Sequence, residues 1–201
     1  MLRQIRLTAW IVVAVVALLW GASAGGLFDA LKRGDVKFPA RASVGGPFRL
    51  TAHDGKPFDS QVLAGRPFAI FFGFTHCPEV CPTTLLEMSN HLQALGADAN
   101  RLKVLFVSID PERDTAEFLN SYLSSFDPRI VGLTGTVAEI GAIARQYRVY
   151  YEKVPGNGKD YTLNHTAAVY LMDAKGRFAG TLNYEEKETD QRAKLKRLLS
   201  R

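Results

Sequence analysis

FAIFFGF at residues 68–74 and LKVLFVSI at residues 102–109 are near-continuous apolar runs. A run of that length without polar alternation marks a strand buried on both faces. Between them Leu85, Met88, Leu92 and Leu95 recur at helical spacing. Two buried strands with a helix between them require layers on both sides of a sheet, the α/β arrangement. Hydrophobic residues make up 47% of the 201-residue chain, enough for an ordinary core that needs no disulfide scaffold.

The other segments extend this pattern. FRLTA (48–52) reads as a short strand, with a turn at His53-Asp54-Gly55. Asp114 with Glu117 resembles a capping box and predicts a helix whose apolar face is Phe118, Leu119, Tyr122, Leu123 and Phe126. Thr136 with Glu139 is a second capping box, opening a helix through Ile140, Ile143, Ala144 and Tyr147. Residues 149–163 form a hairpin-like excursion around Pro155 and Gly156. TAAVYLM (166–172) and RFAGTLN (177–183) are two strands, and a basic helix closes the chain over about residues 186–200. A βαβ unit followed by ββα is the thioredoxin-like order, a central mixed sheet flanked by helices.

Both cysteines lie where the first buried strand meets its helix, in FTHCPEVCP (74–82). Cys77 and Cys81 are at i and i+4, which on a helix places Cβ atoms about 5–6 Å apart. That is wider than the usual disulfide, about 3.5–4.5 Å, and suits two thiolates on one metal ion. Pro82 fits a first helical turn, and a helix N-terminus favours thiolate. Two soft thiolates select Cu(I) or Zn(II) over magnesium or calcium. An exported structural disulfide is the competing reading. A third ligand is needed for a metal. His76 would point away, His91 lies about three turns along the helix, and His53 sits in an early turn. In a thioredoxin arrangement His165 faces the cysteine loop, although a lone histidine before a strand is more often structural. Met88 falls on the core stripe. Asp110 and Asp114 flank a proline and suit turn and cap roles.

The N-terminus predicts a membrane segment. Residues 7–28 carry no charged side chain, and AWIVVAVVALLW (9–20) is wholly apolar; about 20 residues cross a hydrocarbon layer. Ala22-Ser23-Ala24 also resembles a signal-peptide cleavage site. The expected organisation is an anchor at 1–28, a linker at 29–46 and a folded domain at 47–201. Lys32, Arg33, Lys37 and Arg41 follow the apolar run and oppose the positive-inside rule, but a long domain translocates largely regardless of charge. With no Arg- and Ser-rich transit peptide, the expected place is a bacterial inner membrane with the domain in the periplasm. No basic run is interleaved with aromatics, which argues against nucleic-acid binding.

FFGFTHCPEVCPTTL (71–85), VSIDPERDT (107–115), FDPRIVGLTG (126–135) and DYTLNHTAAVYLMD (160–173) closely resemble the Sco/SenC copper proteins, over the whole domain from about Pro47. The resemblance implies a thioredoxin-like fold with an N-terminal anchor. It places copper ligands on Cys77, Cys81 and His165, with Asp110 in an acidic position near the site. It implies a metallochaperone that takes copper from an upstream donor and delivers it to the binuclear copper site of cytochrome c oxidase subunit II. Asn164 stands where an acidic residue often precedes the ligand histidine, and Glu79 where Asp is common. A thiol–disulfide oxidoreductase acting on the acceptor's cysteines through Cys77 and Cys81 is the alternative. A peroxiredoxin-like peroxidase is disfavoured, because the cysteine segment brings no arginine.

Overall fold

The computed structural model describes residues 10–17, 20–21, 43–156 and 160–200. The chain divides into two units, residues 1–42 and 43–201. In the first, residues 10–17 and 20–21 are helical. Among the described residues no helix is long and apolar enough to cross a membrane. The predicted anchor and most of the predicted linker lie largely outside the described residues.

The second unit is built on a seven-stranded sheet. Its strands are β1 (Arg49–Ala52), β2 (Pro57–Asp59), β3 (Phe68–Gly73), β4 (Lys103–Ser108), β5 (Ile130–Thr134), β8 (Ala168–Met172) and β9 (Phe178–Asn183), in the order β2-β1-β5-β4-β3-β8-β9. β3, β4 and β5 are parallel, and the other pairings are antiparallel. A separate two-stranded ribbon pairs β6 (Tyr151–Pro155) with β7 (Tyr161–His165). The expected mixed α/β sheet is therefore present, and both apolar runs are its central strands. Every residue of β3 is buried.

Parallel neighbours need a crossover. α1 (Val80–Ala94) supplies it between β3 and β4, and α2 (Ala116–Leu123) between β4 and β5. α3 (Val137–Gln146) follows β5, and α4 (Glu188–Leu199) follows β9. Strand alternation assigns the faces. Phe71 stacks with Phe106, which in turn meets Tyr122 of α2; Phe72, one residue on, packs against Tyr147 at the end of α3. Each fully buried ring of this kind is worth about 1.5–3 kcal/mol of transfer free energy.

The Thr136–Glu139 capping box is present, with both reciprocal hydrogen bonds formed. The one predicted at Asp114 is not. Thr115 caps α2, its hydroxyl accepting from the Phe118 N–H at 3.2 Å. Asp114 is buried and its carboxylate is committed elsewhere: it accepts from the Thr75 N–H at 3.1 Å, the Thr75 hydroxyl at 2.6 Å and the Ser108 hydroxyl at 2.5 Å. Spacing identified a cap but not which of two adjacent cap-competent residues would be pulled inward. Phe118, expected on the apolar face, is 46% exposed.

Candidate metal centre

β3 ends at Gly73, and the chain turns immediately, the Cys77 N–H donating to the Phe74 carbonyl at 3.3 Å. α1 begins three residues beyond Cys77. Cys77 is therefore ahead of the helix, and its Sγ accepts the backbone N–H of Cys81 at 3.4 Å. Sulfur thus serves a helix-initial N–H that no side-chain cap from Glu79 satisfies. Cys81, in the first turn, is fully buried over β3. The absent side chain at Gly73 makes room for it: a Cβ there would lie 2.7 Å from the Cys81 Sγ.

His165 arrives from the ribbon. It is the last residue of β7, paired with Tyr151. Its Nδ1 lies 3.1 Å from the Thr166 carbonyl. A carbonyl only accepts, so Nδ1 carries the proton and Nε2 presents a bare lone pair. That Nε2 is 3.6 Å from the Cys81 Sγ. Phe71 and Phe74 meet the imidazole edge-on, at centroid distances of 6.2 and 5.8 Å.

The two sulfurs and an imidazole nitrogen all lie within 4.8 Å of one another. An ion bonded at about 2.3 Å to sulfur and about 2.0 Å to nitrogen, at trigonal angles, requires an S–N separation of about 3.7 Å. The observed 3.6 Å between Cys81 Sγ and His165 Nε2 fits that for this pair.

The two thiols are electrostatically unlike. Cys77 is held well below the ordinary thiol range, first by the hydrogen bond from the Cys81 thiol and further by backbone N–H groups of the turn, against the opposing effect of burial. Cys81 is pushed well above it, first as the partner that keeps the shared proton and then by burial, with the charges of Cys77 and Asp114 adding to the shift. The pair is a thiolate beside a thiol.

The remaining histidines are occupied as the sequence suggests. His76 turns away from the sulfurs, its Nδ1 3.0 Å from the Thr75 hydroxyl and its ring stacked on Phe118. His91 is buried against Gln191 at 2.7 Å, and His53 accepts the Gly132 N–H at 3.0 Å. Met88 is buried on the core side of α1.

Asp110 is buried but committed to neighbours. Its Oδ2 accepts from Arg113 Nε at 2.5 Å and its Oδ1 from the Tyr161 hydroxyl at 2.6 Å. Arg113 also donates to the Tyr161 carbonyl at 3.0 Å, and its guanidinium lies 3.7 Å from the Tyr161 ring centroid. These contacts clamp the ribbon carrying His165 to the loop after β4. One residue group thus joins the histidine arm, through Asp110 and Arg113, to the cysteine turn, through Asp114 and Thr75.

Residues 37–200 match the SCO1/SenC family model. The chain belongs to the SCO1/SenC family. Within the family it is 41% identical over 150 residues to the mitochondrial SCO1 homolog of Mus musculus, covering 73% of this chain and 53% of that protein. It is 35% identical over 176 residues to the SCO2-like protein of Rickettsia felis, covering 83% and 86%. The chain spans about half the length of the mitochondrial relatives it matches. Among solved structures it resembles Bradyrhizobium japonicum ScoI with copper bound, with a TM-score of 0.73 and 49% identity over 78% of this chain and 99% of that one. Yeast Sco1 with copper bound gives 0.72 and 37%, over 79% and 89%.

In this SCO1/SenC chain, sequence reasoning missed Arg113, Tyr161 and Tyr122. Arg113 and Asp110 sit three residues apart in the DPERD segment, a spacing that hinted at an ion pair, but nothing local links them to Tyr161. Its spacing places Tyr122 on the apolar face of α2. Its hydroxyl has no hydrogen-bond partner among the described residues. Burial raises its pKa first, and the nearby Cys81 and Cys77 charges raise it further.

Proposed function

We propose that this chain is a copper metallochaperone of cytochrome c oxidase assembly. Cys77, Cys81 and His165 hold the ion, and the protein delivers it to the binuclear copper site of oxidase subunit II. The observation that carries this reading is the convergence of three ligand atoms within 4.8 Å of one another, with the imidazole already in the tautomer that leaves Nε2 free. Copper is cargo here. Three ligands retain a soft ion yet leave a coordination position for an acceptor thiolate, so ligands can exchange stepwise. The copper-bound state of the ScoI and Sco1 structures supports the choice of ion. BsSco, which shares the fold, is described as a member of a family of cytochrome c oxidase assembly proteins, and this supports the destination.

The remaining organisation belongs to the same proposal. Residues 1–28 anchor the chain in a bacterial inner membrane, 29–46 link, and 47–201 form the copper-binding domain in the periplasm, loaded by an upstream donor. The apolar run Ala9–Trp20 supports the anchor, and the extensive match to the Rickettsia felis protein supports the bacterial setting. Asp110 orients the site through Arg113 and Tyr161 rather than by touching the ion.

A second reading has its own observation. A half-buried thiolate at Cys77 beside a buried thiol at Cys81 is the arrangement that initiates thiol–disulfide exchange. In that reading Cys77 attacks an acceptor disulfide and Cys81 resolves the mixed disulfide, leaving the acceptor's dithiol ready for metal.

Copper titration of the reduced full chain in detergent separates the two, with His165→Ala and a copper-free subunit II fragment alongside. Tight one-to-one binding, weakened more than about a hundredfold by the substitution, followed by copper transfer to the fragment, is the expected result. Undiminished binding in the variant removes His165 from the site. Reduction of an oxidised fragment with no copper retained selects the exchange reading.

A further inference from the structure

β3, β4, β5 and β9 all run in one direction, since β9 is antiparallel to β8 and β8 to β3. Each is followed by a helix that returns. The unit therefore has two distinct ends. The cysteine–histidine cluster occupies one, with the starts of all four helices. The far end gathers the connections before β3, β4, β5 and β9, and the last turn of α4.

The ends are oppositely charged, although the sequence from residue 43 onward is nearly neutral, with 19 Lys and Arg against 18 Asp and Glu. Around the cluster, Glu79, Glu112, Glu117, Glu139, Glu152, Asp160, Glu185, Glu188 and Asp190 are exposed, against the exposed cations Arg49, Lys153 and Lys187 among the described residues. At the far end Arg66, Arg101, Lys175, Arg177, Lys196 and Arg197 are exposed, against Asp98 and against Asp54, which is paired with Lys56; Asp127 and Asp173 there are buried. Helix dipoles favour acids at the first turns and bases at the last. That accounts for Lys196 and Arg197 in α4, but Arg66, Arg101, Lys175 and Arg177 lie outside the α-helices. Arg66, Lys175, Lys196 and Arg197 have no carboxylate partner among the described residues. Arg66 and Arg101, with Asn100, line a cleft of about 410 Å³. Exposed Val62 and Phe178 add apolar surface beside them.

We propose that this far end is a docking face for anionic phospholipid headgroups, which holds the copper cluster pointed away from the membrane. The proposal rests on the anchored reading above. What commits the face to lipid is where the chain enters. Gly45 donates to the Gln146 carbonyl at 2.9 Å and packs on Met172 at the end of β8, so the segment leading back to the apolar run joins the unit at the basic end. That segment carries Lys32, Arg33, Lys37 and Arg41 against Asp29 and Asp35. The charges that oppose the positive-inside rule thus lie, along the sequence, between the apolar run and the point where the chain enters the unit. Each cation near an anionic bilayer strengthens binding about fivefold. A tether of this length keeps the face at an effective concentration on the order of millimolar, so a modest intrinsic affinity suffices. The acidic cluster end is repelled by the same headgroups, which adds orientation to attachment.

The test places the full chain in vesicles of phosphatidylcholine alone or mixed with phosphatidylglycerol. It follows amide hydrogen exchange in residues 64–67, 99–102 and 174–178. Exchange about tenfold slower with phosphatidylglycerol, reversed by high salt and lost in a combined Arg66→Glu, Lys175→Glu, Lys196→Glu and Arg197→Glu variant, is the expected result. Unchanged exchange in β3 and β4 of that variant shows that it folds. Equal exchange in both vesicles, while the protein resists salt extraction, overturns the docking face and leaves the anchor standing. Salt-extractable protein whose loops are nevertheless protected by phosphatidylglycerol upholds the face and overturns the anchor. Equal protection by inorganic phosphate without vesicles, or by an acidic protein where phosphatidylglycerol gives none, overturns the lipid assignment.

Discussion

Gly73 shows how little freedom the cysteine pair has. A Cβ there would approach the Cys81 Sγ at 2.7 Å and the Phe106 ring at 2.9 Å, and Phe106 is fully buried and cannot move aside. Gly73→Ala therefore pushes the sulfur off the strand. It should cost about 1–3 kcal/mol in urea unfolding and weaken copper binding in the same protein; a variant unchanged in both has a looser site than this geometry allows. The thiols themselves predict a pH dependence. Two ordinary thiols, with pKa about 8.5, would together release nearly two protons on binding copper between about pH 7 and 8. Here Cys77 is already a thiolate across that window, because its pKa is lowered, and Cys81 is still a thiol, because its own is raised. Copper then displaces close to one proton from the pair. The logarithm of affinity should rise by about one unit per pH unit, with affinity falling as acid is added. Calorimetry in buffers of different ionisation enthalpy counts the proton directly, and a count near two would show that the two sulfurs titrate alike.

Among the elements, the β6–β7 ribbon matters most to the site, since it stands outside the main sheet and ends in the histidine. Its position depends on the clamp. Tyr161→Phe keeps the ring over the Arg113 guanidinium but deletes the hydroxyl that bonds Asp110, leaving one carboxylate oxygen of a buried aspartate without its donor. Copper affinity should fall about tenfold, with faster amide exchange in β7 and an unchanged far-ultraviolet spectrum. An equal acceleration of exchange in β3 and β7, or no change in affinity, would mean that Tyr161 does not position the arm. The main-sheet strands were legible in the sequence because burial on both faces leaves apolar runs, and α3 was legible because the two halves of its capping box, Thr136 and Glu139, lie three positions apart. The clamp was not, because Asp110 and Tyr161 are 51 positions apart and only the ribbon's path brings them together. The same limit misplaced the α2 cap: Asp114 is drawn inward by Thr75, 39 residues earlier, and no local pattern records that partner. Cys77 and Cys81 could be paired by spacing alone, whereas His165 needed either the family resemblance or the fold.

For the whole molecule, the consequence of this architecture is that the ligands come from parts held with unequal strength. The Cys81 sulfur rides on α1 in the buried core and the Cys77 sulfur on the turn that joins it to β3, while the imidazole rides on a ribbon whose residues are mostly exposed or half-buried. An ion bridging them ties the ribbon to the core, so binding energy becomes folding energy for the least buried segment. With free copper at about a thousand times its dissociation constant, the native state gains about 4 kcal/mol. For a domain of this size that corresponds to a melting-temperature rise of roughly 10 °C. Differential scanning calorimetry of the reduced protein with and without Cu(I) reads the shift, and hydrogen exchange shows where it resides. Protection should appear first in β6 and β7, with β3 and β4 changing only as global stability does. Cys81→Ser keeps the fold's hydrogen-bonding side chain at that position but removes a soft ligand, so it should erase both the shift and the ribbon's protection. A full shift in that variant, or protection confined to the sheet, would mean that copper stabilises the domain from somewhere other than the place where core and ribbon meet.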